Sequence, residues 1–200
     1  MYFNSYYHMQ NICVYCASSS QVNEEYYAAA SNLGELLAKN GNRLIFGGGR
    51  RGLMGKIADT MLAQGATVIG IMPRFMTEVE WNHTGVTEMI LVDSMHERKE
   101  KMAAMADAVV ALPGGCGTLE ELLEVLTWKR LGIFSKPIII CNINKYFDPL
   151  IEMLNRSVDE QFMREEHRLM WQIADTPEAV MLALQNPVKW DENARNFAAL

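Results

Sequence analysis

No stretch of this sequence approaches the roughly 18 consecutive apolar residues that a membrane-spanning helix needs, although half of its 200 residues are hydrophobic. The opening MYFNSYYHMQ has neither a basic segment nor an apolar one, so no secretory leader is expected and the protein is expected in the cytoplasm, away from membranes. Basic charge is scarce as well: 18 Lys and Arg against 24 Asp and Glu leave a net charge of -6. That balance excludes a general affinity for nucleic acid, which needs a basic surface, and confines any phosphate site to a local feature. Metal-ligand patterns are missing too. Cys13 and Cys16 form a CxxC, but NICVYCAS reads as a strand, where an offset of three sends the side chains to opposite faces. Cys116 and Cys141 have no partner at ligand spacing, and the four histidines make no HxxxH or HExxH pattern. Reduced packing cysteines and no structural metal are the expectation.

Repeats and low-complexity linkers are also lacking, so residues 1–200 are expected to form one domain, with residues 1–10 and 187–200 as terminal extensions. What the chain does contain is a regular alternation. NICVYCAS predicts a strand, EEYYAAASNLGELLAKNG a helix, RLIF a strand, LMGKIADTMLAQG a helix, and ATVIGIMP a strand. After the irregular FMTEVEWNHTGVT come the strand EMILVD, the helix SMHERKEKMAAMADA and the strand AVVALP. The helix TLEELLEVLTWKRLGIF, the strand KPIIICNI and helices near 147–161 and 177–185 complete the pattern. Short apolar strands alternating with helices predict a doubly wound, Rossmann-like α/β domain: a mostly parallel sheet with helices on both faces.

In such sheets ligands bind beyond the carboxyl ends of the strands, and both glycine-rich stretches fall there. FGGGRRGLMG, with Gly48 and Gly49, and PGGCGT each follow a strand and can present backbone N–H groups to an anion. The first could equally be a turn alone. It is neither a Walker A motif nor a clean dinucleotide fingerprint, which lowers ATP and NAD as ligands. For PGGCGTLEE a purely structural reading makes Thr118 the N-cap and Glu121 its capping-box partner. On the helical wheel Leu119, Leu122, Leu123 and Leu126 form the expected core stripe, with Glu121 roughly opposite, beside Trp128. In the preceding helix Ser94 and Glu97 make another capping box, and Arg98 and Lys99 fall on an apolar stripe with Met95, Met102, Met105 and Ala106. Either these cations meet a phosphate or carboxylate, or they snorkel past the core edge into water. Arg50, Arg51 and Arg74 are loop-edge cations that could draw an anion inward.

PGGCGTLEE fits PGGxGTxxE, and MHERK fits the motif that accompanies it one helix and strand upstream. The combination resembles the Lonely Guy family of cytokinin riboside 5'-monophosphate phosphoribohydrolases over nearly the whole chain. The resemblance implies cleavage of the N-glycosidic bond of a nucleoside 5'-monophosphate without metal or organic cofactor, by a homodimer with sites near the interface. It implies Arg98 and Glu121 as the catalytic pair with Lys99 beside them. Gly114, Gly115, Cys116, Gly117 and Thr118 would hold the phosphate, with Leu119 and Glu120 continuing that motif, and Glu80 and Thr127 would line the substrate site. Proteins of this kind have also been labelled lysine decarboxylases, a reaction that needs a pyridoxal phosphate lysine with supporting groups; no lysine stands in such a setting. A non-catalytic nucleotide carrier is the rival reading, since the same loops could hold a phosphate without hydrolysis.

Overall fold

The computed structural model of the chain describes residues 10–77 and 81–191. Seven strands form one sheet in the order β4-β3-β2-β1-β5-β6-β7, and every pairing is parallel. They are β1 (Asn11–Tyr15), β2 (Arg43–Phe46), β3 (Val68–Pro73), β4 (Glu88–Val92), β5 (Ala108–Ala111), β6 (Ile138–Cys141) and β7 (Gln172–Ala174). The helices are α1 (Glu24–Lys39), α2 (Gly52–Ala63), a single turn α3 (Arg74–Thr77), α4 (Met95–Met105), α5 (Cys116–Arg130), α6 (Asp148–Asp159) and α7 (Pro177–Gln185). The expected doubly wound α/β architecture is therefore present.

The central strands are apolar along their whole length because both faces are covered: AVVA and IIIC are buried at every position. Their alternation separates two core layers. Ile12, Val14, Leu44 and Phe46 face α1, α2 and α7, while Cys13, Tyr15 and Ile45 face α4, α5 and α6. Cys13 and Cys16 accordingly lie in opposite layers, and burial pushes both thiols far above their ordinary pKa. Leu33 and Leu37, one turn apart on α1, have no exposed surface, and each contributes about 1.5–3 kcal/mol relative to exposure.

The chain steps outward from β1 through β2 and β3 to β4, then returns to the other side of β1 with β5 and continues through β6 to β7. The direction reverses between β1 and β5, and the loops leaving their carboxyl ends diverge and open a crevice there. The stretch expected to be irregular contains α3 and an antiparallel bridge between Gly49 and Asn82. Three-residue β7 and a 3-10 turn at Glu165–Met170 had no counterpart in the sequence pattern. At the start of the expected C-terminal extension, Val188 N–H donates to Gln172 Oε1 at 3.1 Å, and Trp190 packs on the core layer that holds α5.

Candidate active site

A cleft of about 550 Å³ occupies this crevice. Its walls are the β1 loop (Cys16, Ala17, Ser18), the β2 loop around Gly49, Arg50 and Arg51, and the start of α5 from Gly115 to Thr118. Arg98 and Glu121 line it from below.

Those two side chains are 6% and 8% exposed and form an ion pair, Arg98 Nη1 to Glu121 Oε1 at 3.0 Å. The pair is built from three elements. Ser94 caps α4, its Oγ accepting from Glu97 N–H at 3.1 Å, which sets Arg98 in the first turn beyond β4. Arg98 Nε donates to the Ile71 carbonyl of β3 at 3.0 Å. Gly47, at the end of β2, leaves the space that this needs: a Cβ there would stand 1.9 Å from Arg98 Nη2. The Glu97 carboxylate accepts from Asp93 N–H rather than from the cap residue itself, so only half of the expected capping box forms. Burial raises the pKa of Glu121, and the Arg98 charge acts against that rise. Tyr15 on β1 is also held well above its usual pKa, by burial first and then by nearby groups that include Glu121.

Residue 118 corrects an expectation. Helix α5 starts at Cys116 with Gly115 as N-cap, and Thr118 is buried inside the first turn. With Gly115 as the cap, Glu121 is not at the capping-box position but beyond it in the second turn, and its carboxylate pairs with Arg98 instead. Nor does it face away from the core: Glu121 lies on the buried face with Leu122, Val125 and Leu126, whereas Leu123 is 41% exposed. The wheel failed here because a paired carboxylate takes a place that hydropathy assigns to leucine.

The start of α2 reaches the same cleft through Arg51 and Met54, and neither α2 nor α5 has an acidic residue in its first turn. Two positive helix ends thus converge where an anion would sit. The α5 loop is held from behind. Ala17 N–H donates to the Pro113 carbonyl at 3.1 Å, and the Tyr146 hydroxyl donates to the Gly114 carbonyl at 2.6 Å. A Cβ on Gly114 would fall 2.0 Å from Thr118 Oγ1, while one on Gly117 would meet nothing within 4 Å. Gly117→Ala should therefore keep or raise Tm, Ala being favoured by up to about 1 kcal/mol within a helix, yet raise KM for a phosphorylated substrate at least about tenfold, since 1.4 kcal/mol of lost contact suffices. Gly114→Ala should lower Tm. An unchanged KM in the Gly117 variant would remove this loop from the binding site.

Several sequence candidates stand elsewhere. Lys99 is bound to Glu120 and, at 3.0 Å, to Glu124, and so ties α4 to α5 instead of reaching the cleft. Glu120 is engaged in that pair, Leu119 is half-buried in the core layer, and the Thr127 hydroxyl donates to the Leu123 carbonyl on the outer face of α5. Gly48 is buried against Met89 with φ of 77°, a turn position beneath the wall that Gly49 forms. Glu80 lies outside the described residues. Arg74 pairs with Asp93 at 3.2 Å, while Arg50 and Arg51 line the cleft. Sequence reasoning passed over Ser18, Met72, Met76 and Trp81, all lining residues. For Ser18 a signal existed: in a reversing parallel order the loop after β1 adjoins the one after β5.

A family described as possible lysine decarboxylase matches residues 54–184. Among the described residues no lysine lines the cleft, so the site does not fit pyridoxal phosphate, whose Schiff base requires one. The chain is 41% identical over 179 residues to the cytokinin riboside 5'-monophosphate phosphoribohydrolase LOG of Oryza sativa subsp. japonica, covering 90% of this chain and 74% of that protein. It is 37% identical to the enzyme of the same name from Rhodococcoides fascians, covering 89% of this chain and 90% of that one. Among solved structures, the Moco carrier protein from Chlamydomonas reinhardtii superposes with a TM-score of 0.68 at 22% identity, over 90% of this chain and 97% of that one. This last likeness is one of fold. On the strength of the closer matches, the chain belongs to the Lonely Guy family of cytokinin riboside 5'-monophosphate phosphoribohydrolases.

Proposed function

We propose that the chain hydrolyses the N-glycosidic bond of a nucleoside 5'-monophosphate, AMP or an N6-substituted AMP, to free base and ribose 5-phosphate. The observation that carries this reading is the buried Arg98–Glu121 pair lining a cleft onto which two acid-free helix ends converge. The 5'-phosphate sits on the first-turn N–H groups of α5, which fixes the ribose. As the bond from C1' to the base nitrogen breaks, positive charge develops on C1' and O4', and the Glu121 carboxylate stabilises it. The base departs with the bonding electron pair and takes a proton from solvent water, while the attacking water bonds to C1' and gives its proton to Glu121, which returns it to solvent. Arg98 acts as a fixed positive charge that holds Glu121 ionised and in place. A pure phosphate carrier gains nothing from a carboxylate beside an anion, which favours the hydrolase over the carrier. Incubation with AMP and with N6-isopentenyladenosine monophosphate, with free base followed by chromatography, tests the reading; failure to release base from either would reject it.

The active form is proposed to be a homodimer. Leu123 and Thr127 on α5 and Leu131 at its C-cap form an exposed stripe, and Ile133 beyond it is 64% exposed, a largely apolar surface of the kind that interfaces cover. Sedimentation at micromolar concentration should give twice the 22.6 kDa chain mass; a monomer would refute the dimer. Among the described residues no helix is long and apolar enough to cross a membrane. The cytoplasm is the proposed compartment, since the free thiols of Cys13, Cys16 and Cys141 suit a reducing environment. Nucleic acid is not a proposed partner of so acidic a chain.

A further inference from the structure

Trp81 lines the cleft and is 52% exposed, whereas Trp171 is 6% exposed in the core. An indole left half in water on the wall of a cleft forfeits burial that a smaller or polar residue would not seek.

The backbone that carries it is fixed on one side to the glycine loop. Arg50 N–H donates to the Trp81 carbonyl at 3.0 Å, and His83 N–H donates to the Gly48 carbonyl at 2.8 Å, flanking the bridge between Asn82 and Gly49. The His83 ring clamps this strap to α2. Its Nδ1 accepts from Gly85 N–H at 3.1 Å, so Nε2 carries the hydrogen and donates to Asp59 Oδ1 at 2.9 Å. Trp81 is thus an exposed aromatic ring on an anchored segment.

Strand order gives the cleft a polar and an apolar end. The loop proposed to hold phosphate follows β5; past β1 and β2, β3 and its short helix deliver Met72 and Met76, and the start of α4 beyond β4 delivers Met95. Three steps across a sheet at the usual strand spacing separate the ends by about 14 Å. The Arg98–Glu121 pair bridges the interval, with Arg98 anchored on β3 and Glu121 on the helix after β5. A ligand that places its phosphate at one end and its scissile bond at the pair directs its base toward Trp81 and the methionines.

We propose that Trp81 is the platform on which the substrate's purine ring stacks, and that it sets the preference for a purine over a pyrimidine nucleotide. The proposal rests on the hydrolase reading for the orientation of the nucleotide. Stacking of a base on an aromatic side chain corresponds to about 5- to 150-fold in affinity, and a bicyclic base overlaps the indole more fully than a monocyclic one. The thioethers of Met76 and Met95 supply an adaptable apolar border to the same ring.

The test compares wild type, Trp81→Phe and Trp81→Ala by calorimetric binding of AMP, CMP and ribose 5-phosphate, alongside KM and kcat for AMP. Trp81→Ala is expected to weaken AMP about 5- to 150-fold and to erase the preference over CMP, with ribose 5-phosphate affinity unchanged; Trp81→Phe retains most of the AMP affinity. Unaltered AMP binding in Trp81→Ala overturns the proposal. So does an equal loss for AMP and ribose 5-phosphate, which would show that the residue only shapes the strap. Wild type that binds AMP without releasing adenine rejects the hydrolase reading but leaves the platform to be judged from the affinities; wild type that does not bind AMP overturns both.

Discussion

Replacing Glu121 by Gln should lower kcat about 10²- to 10⁴-fold, the usual contribution of one positioned acid–base group, while KM for AMP changes little. Gln keeps the volume and one oxygen toward Arg98 Nη1, which the carboxylate meets at 3.0 Å, but it can neither take a proton from water nor offset charge on the ribosyl ring. The pH profile carries a second signature. Burial raises the Glu121 pKa, with Arg98 acting against the rise, and the proposed mechanism uses the ionised form. Activity is therefore lost as pH falls through the raised value, and the acid limb of kcat/KM should lie above the ordinary glutamate pKa near about 4.3. Stopped assays across pH on wild type, with single-turnover rates for the variant, check both points. Turnover of Glu121→Gln at the wild-type rate would remove this residue from the chemistry.

Arg98→Ala should be costly twice over. It strands a carboxylate whose side chain is 8% exposed, and breaking a buried pair by removing one partner costs about 3–5 kcal/mol of stability. It also frees the Glu121 pKa to rise further, since the opposing charge is gone, so the acid limb moves to higher pH and kcat/KM falls by about 2–5 kcal/mol equivalent. Arg98→Lys should rescue little, because one ammonium cannot reproduce both the Nε bond to the Ile71 carbonyl and the Nη1 bond to Glu121. Exchanging both partners, Arg98→Met with Glu121→Leu, should restore much of the melting temperature and none of the activity. Recovery of activity in the double variant, or wild-type behaviour of Arg98→Ala, would show that the pair serves packing alone.

The strands were legible because burial on both faces writes short apolar runs: RLIF, apolar after its exposed Arg43, coincides with β2, and KPIIICNI contains β6, which is shorter at both ends. Ser94 announced the start of α4 by its capping chemistry. Arg98 stood out as a cation on an apolar stripe, and Glu121 as the last residue of its motif. What could not be read was which partner each charge takes. Lys99 is adjacent to Arg98 and equally cationic, yet it binds Glu120 and Glu124 on the neighbouring helix, because consecutive helical residues diverge by about 100°. Thr118 looked like a cap since hydroxyls favour that position, but Gly115 takes it and the helix begins earlier. Trp81 was invisible as a site residue: its place follows from a non-local bridge to the glycine loop, and no periodicity marks such pairings.

The measurement to make first is the product balance of the purified protein with AMP in the presence of a chelator. Equal molar amounts of adenine and ribose 5-phosphate, formed by wild type and lost in Glu121→Gln, are expected if the Arg98–Glu121 pair hydrolyses the glycosidic bond. Tight AMP binding with no adenine released, or release that persists undiminished in Glu121→Gln, would contradict it.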